Sequence, residues 1–133
     1  MSSPPQNVSA QIPASAEFVH VLRSVVASAA AHMNLNVDSI DDLRLSVDEA
    51  CAQLLKAVPD ASTLAVSVLR AGLDVEVVVS ADGHADPWPP EGHDRSLAWQ
   101  VLSGLSDEVT FERSPSGPAV RIRTHAVLEE LEP

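Results

Sequence analysis

A chain of 133 residues has the length of one domain and is too short for two. Lys and Arg number 8 against 19 Asp and Glu, and the formal charge of −11 disfavours direct binding to nucleic acid or to an anionic membrane. A single cysteine, Cys51, excludes an intramolecular disulfide, and without a signal peptide or a run of roughly 18 apolar residues the chain is predicted to be cytoplasmic.

The predicted elements begin after a polar tail, residues 1–6, which we expect to be disordered. Residues 7–12 are predicted to form a short strand, which Pro13 ends. Apolar residues at helical spacing then predict a first helix from Ser15 to Met33, with Ser15 as its cap.

A second helix is predicted to start at Asp38 and Asp41, which resemble an acidic variant of a capping box, and to end before Pro59. Its apolar positions repeat every three or four residues, which is typical of a helix with one buried face. This core stripe comprises Ile40, Leu43, Val47, Ala50, Leu54 and Val58.

The second half of the chain is predicted to form two hairpins, which a loop and a third helix separate. Residues 63–70 and 73–81 form the first predicted hairpin, with Ala71 and Gly72 between them. A long loop rich in proline and acids follows over residues 82–94. The remaining predicted elements are a helix over residues 96–105 capped by Asp94, and strands over residues 108–113 and 119–124 around a turn at 114–118.

This order of elements predicts an α+β fold. We expect a two-layer sandwich in which three helices cover one face of a mixed, mostly antiparallel sheet of about five strands. The single domain is predicted to span residues 7–125, and an acidic tail is predicted for residues 126–133.

A polar stripe runs beside the core stripe of the second helix. Its members share one helix face: Asp42, Ser46, Glu49, Gln53 and Lys56. A carboxylate followed one turn later by an amide is suited to holding a metal-bound nucleotide and polarising a hydroxyl. A solvated helix face has the same pattern, and by pattern alone it is the favoured interpretation.

Five segments of the chain match a known family. They are Ile12–Ala14, Phe18–Val19, Leu22–Arg23, Asp42–Cys51 and Asp107–Val109. Together they resemble the anti-sigma factor serine kinases, which are small single-domain members of the GHKL, or Bergerat-fold, ATPase superfamily. The resemblance extends from about Asn7 to Thr124, is that of a divergent member of actinobacterial type, and implies the histidine-kinase-like ATPase fold.

The resemblance assigns the candidate site residues. It places Glu49 at the position of the general base and Gln53 where the family has a magnesium-binding asparagine. The family's aspartate that reads adenine falls on Ala81, so Asp82 and Gly83 are the remaining candidates for nucleotide binding in that motif. The glycine-rich phosphate lid falls on residues 94–99, which contain no glycine. We therefore predict that ATP and Mg²⁺ bind weakly or not at all.

The resemblance also implies partners. We predict an anti-sigma factor of the bacterial stress response that sequesters an RNA polymerase sigma factor, is countered by an anti-anti-sigma protein of STAS type, and forms a homodimer. One alternative is an active serine kinase that phosphorylates the anti-anti-sigma protein, with Glu49 as base and Gln53 and Asp82 holding the nucleotide. Another is a non-catalytic adaptor of the same fold. The altered motifs favour a protein that is not an enzyme.

Other residues have weaker claims to function. A loop metal site is a disfavoured hypothesis; its ligands would be Asp82, His84, Asp86 and His93. Cys51 is predicted to be an inert buried thiol. Each tryptophan is a candidate for either the core or an interface, and the core is favoured for Trp99 whereas an interface is considered for Trp88. Arg121 and Arg123 are expected on an exposed strand face, where they balance local acids.

Overall fold

The structure is a computed structural model that describes residues 6–126. The predicted terminal tails therefore lie outside the described residues, except for Gln6 and Ala126. The elements in chain order are β1 (Asn7–Pro13), α1 (Val19–His32), α2 (Val37–Ala57), β2 (Thr63–Ala71), β3 (Asp74–Ala81), α3 (Leu97–Leu105), β4 (Glu108–Ser114) and β5 (Gly117–His125). Short 3-10 turns precede α1 and α3, at Ala16–Phe18 and His93–Arg95.

The five strands form one sheet in the order β1-β2-β3-β5-β4, and the three helices pack on one of its faces. This confirms the predicted α+β fold. Every pair of neighbouring strands among residues 6–126 is antiparallel, so the sheet has no parallel component there. No helix in this part of the chain is long and apolar enough to span a membrane.

The core lies between the helices and the sheet and consists almost entirely of aliphatic side chains. In β2 the residues alternate between buried and half-buried, which is the pattern of a strand with one covered face. The largest fully buried side chains are Leu22, Val26, Met33, Leu43, Val47, Leu54, Val58, Leu64, Val66, Val68, Leu102 and Ile122. The predicted core stripe of α2 is confirmed, with Ile40 half-buried at its start.

The cap of α2 differs from the prediction. Asn36 has an extended backbone, and its side-chain oxygen accepts a hydrogen bond from the Ser39 amide at 2.8 Å. Asp38 is already in the first helical turn. The helix therefore starts earlier than Asp38, because the residue with the extended backbone is the one whose side chain reaches the free amides.

The cap of α3 also differs. Ser96 has the extended backbone and accepts the Trp99 amide at 3.0 Å, whereas Asp94 lies in the preceding 3-10 turn. The same geometric requirement explains both corrections.

The first hairpin turn is shifted by one residue from the prediction, and the second is shorter than predicted. Ala71 still pairs with Asp74, so the first turn consists of Gly72 and Leu73, with Gly72 at a positive φ of 62°. In the second hairpin Ser114 pairs with Gly117, and β5 begins at Gly117.

The open face of the sheet carries an ion-pair network on β3, β5 and β4. Arg121 contacts Glu76 and lies 2.7 Å from Glu112, and Arg123 lies 2.9 Å from Glu76. Glu76 is only 7% exposed. The two arginines thus balance local acids on this face, as predicted, and they are half-buried because the acids belong to both neighbouring strands.

Candidate functional site

Two of the predicted site residues lie together on α2. Glu49 and Gln53 are four residues apart, which puts them on one helix face, and the Gln53 Nε2 donates to Glu49 Oε2 at 3.0 Å. Both side chains are half-buried. The polar stripe is thus held beside the core, as the sequence pattern indicates.

Gln53 opens onto a cavity of about 470 Å³ between the C-terminal end of α2 and residues 86–96. The cavity is lined by Gln53, Lys56, Ala57, Asp86, Pro87, Pro90, Glu91, Gly92, His93, Ser96 and Phe111. Glu49 is connected to this cavity through its hydrogen bond with Gln53.

Asp82 lies elsewhere. Its Oδ1 accepts the backbone amides of Ser62 at 2.7 Å and Thr63 at 3.0 Å, which fastens the start of β2 to the end of β3. These hydrogen bonds, that of Thr63 first, lower the pKa of the Asp82 carboxyl because they stabilise its charged form. Asp82 is not among the residues that line the cavity.

Gly83 packs against the turn that follows α2. A Cβ at this position would overlap the Asp60 carboxylate and the Val58 side chain. Asp60 in turn accepts the backbone amide of His84 at 3.0 Å, which is the main cause of its lowered pKa. In the described residues, therefore, Asp82 and Gly83 hold the turns together at the end of β3.

Ala81 is the last residue of β3 and is 1% exposed. A Cβ on Gly117, which has a φ of 141°, would overlap the carbonyl oxygen of Ala81. The end of β3 is therefore closely packed, and it carries a methyl group where the family resemblance expects an adenine-binding carboxylate.

An aromatic cluster that sequence reasoning missed contributes Phe111 and His93 to the cavity lining. Trp88 stacks on Phe111 with ring centroids 5.1 Å apart, and His93 stacks on Phe111 at 5.2 Å. The Trp88 indole nitrogen donates to the carbonyl oxygens of Glu112 at 3.0 Å and Ala119 at 3.3 Å.

The structure contradicts the interface considered for Trp88, whereas Trp99 packs against the core as expected. Trp88 is 5% exposed and belongs to the core, whereas Trp99 is half-buried at the edge of the cluster. Trp88 lies between two prolines in a polar loop, and its contact Phe111 is on β4, far away in the sequence. The sequence around Trp88 therefore does not indicate that it is buried.

The phosphate-lid position is closed by a side chain. The Ser96 hydroxyl accepts the Trp99 amide at the start of α3, so this amide is not free to bind a phosphate. Asp86 and Glu91 contribute carboxylates to the cavity lining, and among the described residues Lys56 is its only Lys or Arg. This charge distribution opposes a triphosphate.

The residues of the loop metal hypothesis are not brought together. His84 lies 3.2 Å from Asp60, and His93 belongs to the aromatic cluster. No group of three or more His, Cys, Asp or Glu side chains within residues 6–126 is placed to hold a metal ion. Cys51 is buried, as predicted, and burial raises the pKa of its thiol to about 12, which disfavours the reactive thiolate.

Comparison with known proteins settles the family. A family model described as histidine kinase-like ATPase domain matches residues 12–124. The chain belongs to the histidine kinase-like ATPase domain family. This agrees with the resemblance identified from its sequence.

The relatives of this ATPase-like domain include named regulators. It is 34% identical over 105 residues to the anti-sigma-F factor RsbW of Mycobacterium tuberculosis, covering 77% of this chain and 57% of the relative. It is 28% identical over 82 residues to the serine-protein kinase RsbW of Halalkalibacterium halodurans, covering 61% of this chain and 51% of the relative. The chain therefore spans little more than half the length of these relatives.

A solved structure supports the fold. A crystal structure of RsbU and RsbW domains from Mycobacterium tuberculosis superposes with a TM-score of 0.68 at 14% identity, covering 92% of this chain and 32% of the other. The architecture of the ATPase-like domain is thus shared with an RsbW domain.

Proposed function

We propose that this chain is an anti-sigma factor that binds an RNA polymerase sigma factor in the cytoplasm and is released by an anti-anti-sigma protein of STAS type. The observation that carries the proposal is the similarity to the anti-sigma-F factor RsbW over 77% of the chain. The charge of −11 supports it, because a strongly acidic surface speeds encounter with a basic partner.

A degenerate nucleotide site is part of the proposal. Three features support it: the alanine at position 81, the Ser96 hydroxyl that occupies the Trp99 amide, and the carboxylates of the cavity lining. The Gln53 amide is also bonded to Glu49. A magnesium triphosphate needs the opposite: cations, free amides and an oxygen ligand for the metal.

The protein is also proposed to form a homodimer, as the family resemblance implies. Size-exclusion chromatography with light scattering measures this directly. A mass of twice 14.1 kDa is the expected result, and a monomer at micromolar concentration contradicts it.

Binding to sigma factors tests the main proposal. Each sigma factor of the source genome is co-expressed with the tagged chain, and complexes are purified and their stoichiometry determined. We expect one sigma factor to co-purify and to be displaced by one STAS-type protein. Recovery of another signalling protein with no sigma factor would contradict the proposal and support the adaptor alternative.

A second candidate function is that of an active serine kinase. Glu49 favours it, because this half-buried carboxylate is hydrogen-bonded to Gln53 of the cavity lining and one relative is named a serine-protein kinase. Calorimetry with ATP and Mg²⁺ distinguishes the two functions. Micromolar binding that is lost in Glu49→Ala and kept in Glu17→Ala, an exposed control, would support the kinase and overturn the degenerate site. We expect no heat of binding in any of the three proteins.

A further inference from the structure

The cavity beside Gln53 has a charge distribution suited to a cation. Asp86 and Glu91 are exposed carboxylates on its lining, and neither has an ion-pair partner among the described residues. Lys56, the only Lys or Arg of the described lining, comes from α2 on the other side. A cationic group that enters the cavity therefore meets an excess of negative charge.

The rest of the lining suits an aliphatic stem. Ala57, Pro87, Pro90 and Phe111 contribute carbon surface to the lining. Long basic side chains bury their methylene groups along such a surface while the charged head reaches polar groups. The volume of about 470 Å³ is in the range of small-ligand sites.

The cavity is formed in advance rather than by the ligand. Phe111 is clamped between the Trp88 and His93 rings, and the Trp88 indole is held by two carbonyl oxygens of the second hairpin. Arg113 adds a hydrogen bond to the Ala85 carbonyl oxygen at 3.1 Å, which ties the loop to β4. A preorganised pocket loses little entropy when it binds.

We infer that this cavity is a docking pocket for an arginine side chain of a protein partner. The planar guanidinium presents five donors in a fork that matches carboxylates, and the Gln53 side-chain oxygen is a further acceptor because its nitrogen is bonded to Glu49. The inference rests on the proposed function, since it assigns to the altered nucleotide cavity a role in binding the protein partner.

A pair of matched peptides tests the pocket without any knowledge of the partner. The full chain is titrated with N-acetyl-Gly-Arg-Gly-amide and with the same peptide carrying citrulline, which is the neutral isostere of arginine. Binding is followed by NMR shifts of the Gln53, Lys56 and Gly92 amides and by the fluorescence of the chain's two tryptophans. We expect saturable shifts with the arginine peptide and about tenfold weaker binding of the citrulline peptide, equivalent to about 1.4 kcal/mol.

Matched variants locate the site. Asp86→Asn with Glu91→Gln removes the two carboxylates of the lining, and arginine binding should weaken by about tenfold or more. Asp38→Asn with Asp41→Asn removes the same charge near the other end of α2, and should leave arginine binding unchanged. Along the helix, Asp38 and Asp41 lie about 23 Å and about 18 Å from Gln53 at 1.5 Å per residue.

Each remaining outcome overturns the inference. Equal loss in both double variants would indicate only a general attraction to an acidic protein. Equal binding of the two peptides, no shifts with either, or tighter binding of Mg-ATP at the same amides would also reject the pocket. The proposed anti-sigma function is tested separately by co-purification, so a failure of one does not imply failure of the other.

Discussion

Gly83 and Gly104 are two glycines with opposite surroundings. A Cβ at position 83 would overlap Asp60 and Val58, whereas a Cβ at position 104 meets nothing within 4 Å. Gly83→Ala should therefore destabilise the protein by about 1–3 kcal/mol, because overpacking displaces the turn after α2. Gly104→Ala, in the last turn of α3, should stabilise it by up to about 1 kcal/mol, the difference in helix propensity between the two residues. Urea unfolding of both variants measures this, and an unchanged midpoint for Gly83→Ala would contradict the packing described at the end of β3.

Trp88 is the residue that secures the loop over β4. Trp88→Phe removes an indole nitrogen that donates to two carbonyl oxygens and leaves a smaller ring against Phe111. We expect a loss of about 1–3 kcal/mol in the free energy of unfolding. Trp99→Phe is the matched control and should cost less, because Trp99 is half-buried and its side chain has no hydrogen bond among the described residues. Similar losses in the two variants would reject the role assigned to Trp88.

The role of a single residue can be predicted when it depends only on that residue's chemistry and on residues close to it in the sequence. The buried thiol of Cys51 and the pairing of Glu49 with Gln53 follow from helical spacing. The burial of Trp88 depends on a strand that comes much later in the chain. No local pattern contains that information.

The caps of α2 and α3 are features of single elements. Asn36→Ala removes the side-chain oxygen that accepts the Ser39 amide, and should destabilise the protein by about 1 kcal/mol. Asp41→Ala alters the second residue of the capping box that the sequence predicts, and should cost less because its ion pair with Arg44 is exposed. Thermal unfolding compares the two, and a larger effect of Asp41→Ala would restore the cap predicted from the sequence.

Every main element was predicted in order, because each has a long apolar period or a clear turn signal. The errors lie at their ends. Asn36 and Asp38 are both good capping residues, and only the backbone conformation at Asn36 decides between them. Likewise Ala71 extends β2 because Asp74 is there to pair with it.

For the whole molecule, low pH is expected to weaken the hydrogen bonds that Asp60 and Asp82 accept near the end of β3. Hydrogen bonds lower the pKa of Asp60 and Asp82 below the ordinary 3.8. The stabilisation that the two ionised carboxylates give the folded state is therefore present above pH 3.8. It is lost as the pH falls through their lower folded-state pKa. Asp82→Asn should flatten the decline of stability below pH 4. Urea midpoints between pH 2 and 7 measure this, and an unchanged slope in the variant would contradict it.

The contribution of His125 to stability has the opposite dependence on pH. Its hydrogen bond with Asp74, and then the charge of Asp107, raise its pKa above 6.5. The contribution is complete below pH 6.5 and is lost as the pH rises through the folded-state pKa. His125→Gln should thus remove a small decline in stability between neutral and alkaline pH, and the same urea series extended to pH 9 tests it. A decline that persists in the variant would assign it to another group.

The candidate site was predictable only in part. The polar pair on α2 follows from one helix, and the altered motifs follow from the family resemblance. The cavity does not, because Gln53, Glu91 and Phe111 come from three separate parts of the chain and meet only in the folded structure. The same holds for Asp82, whose carboxylate is directed to the start of β2 by the pairing of β2 with β3.

The position of β1 has a consequence for the order of folding. β1 pairs only with β2 among the described strands, and α1 and α2 separate the two in the chain, whereas β2–β3 and β4–β5 are joined by two-residue turns. Closing a long loop is entropically costlier than closing a hairpin, so both hairpins should form early and β1 should add last. Native-state hydrogen exchange should accordingly show the amides of β1 opening before those of β3, which leaves the first strand as the part of the sheet that detaches while the rest stays folded.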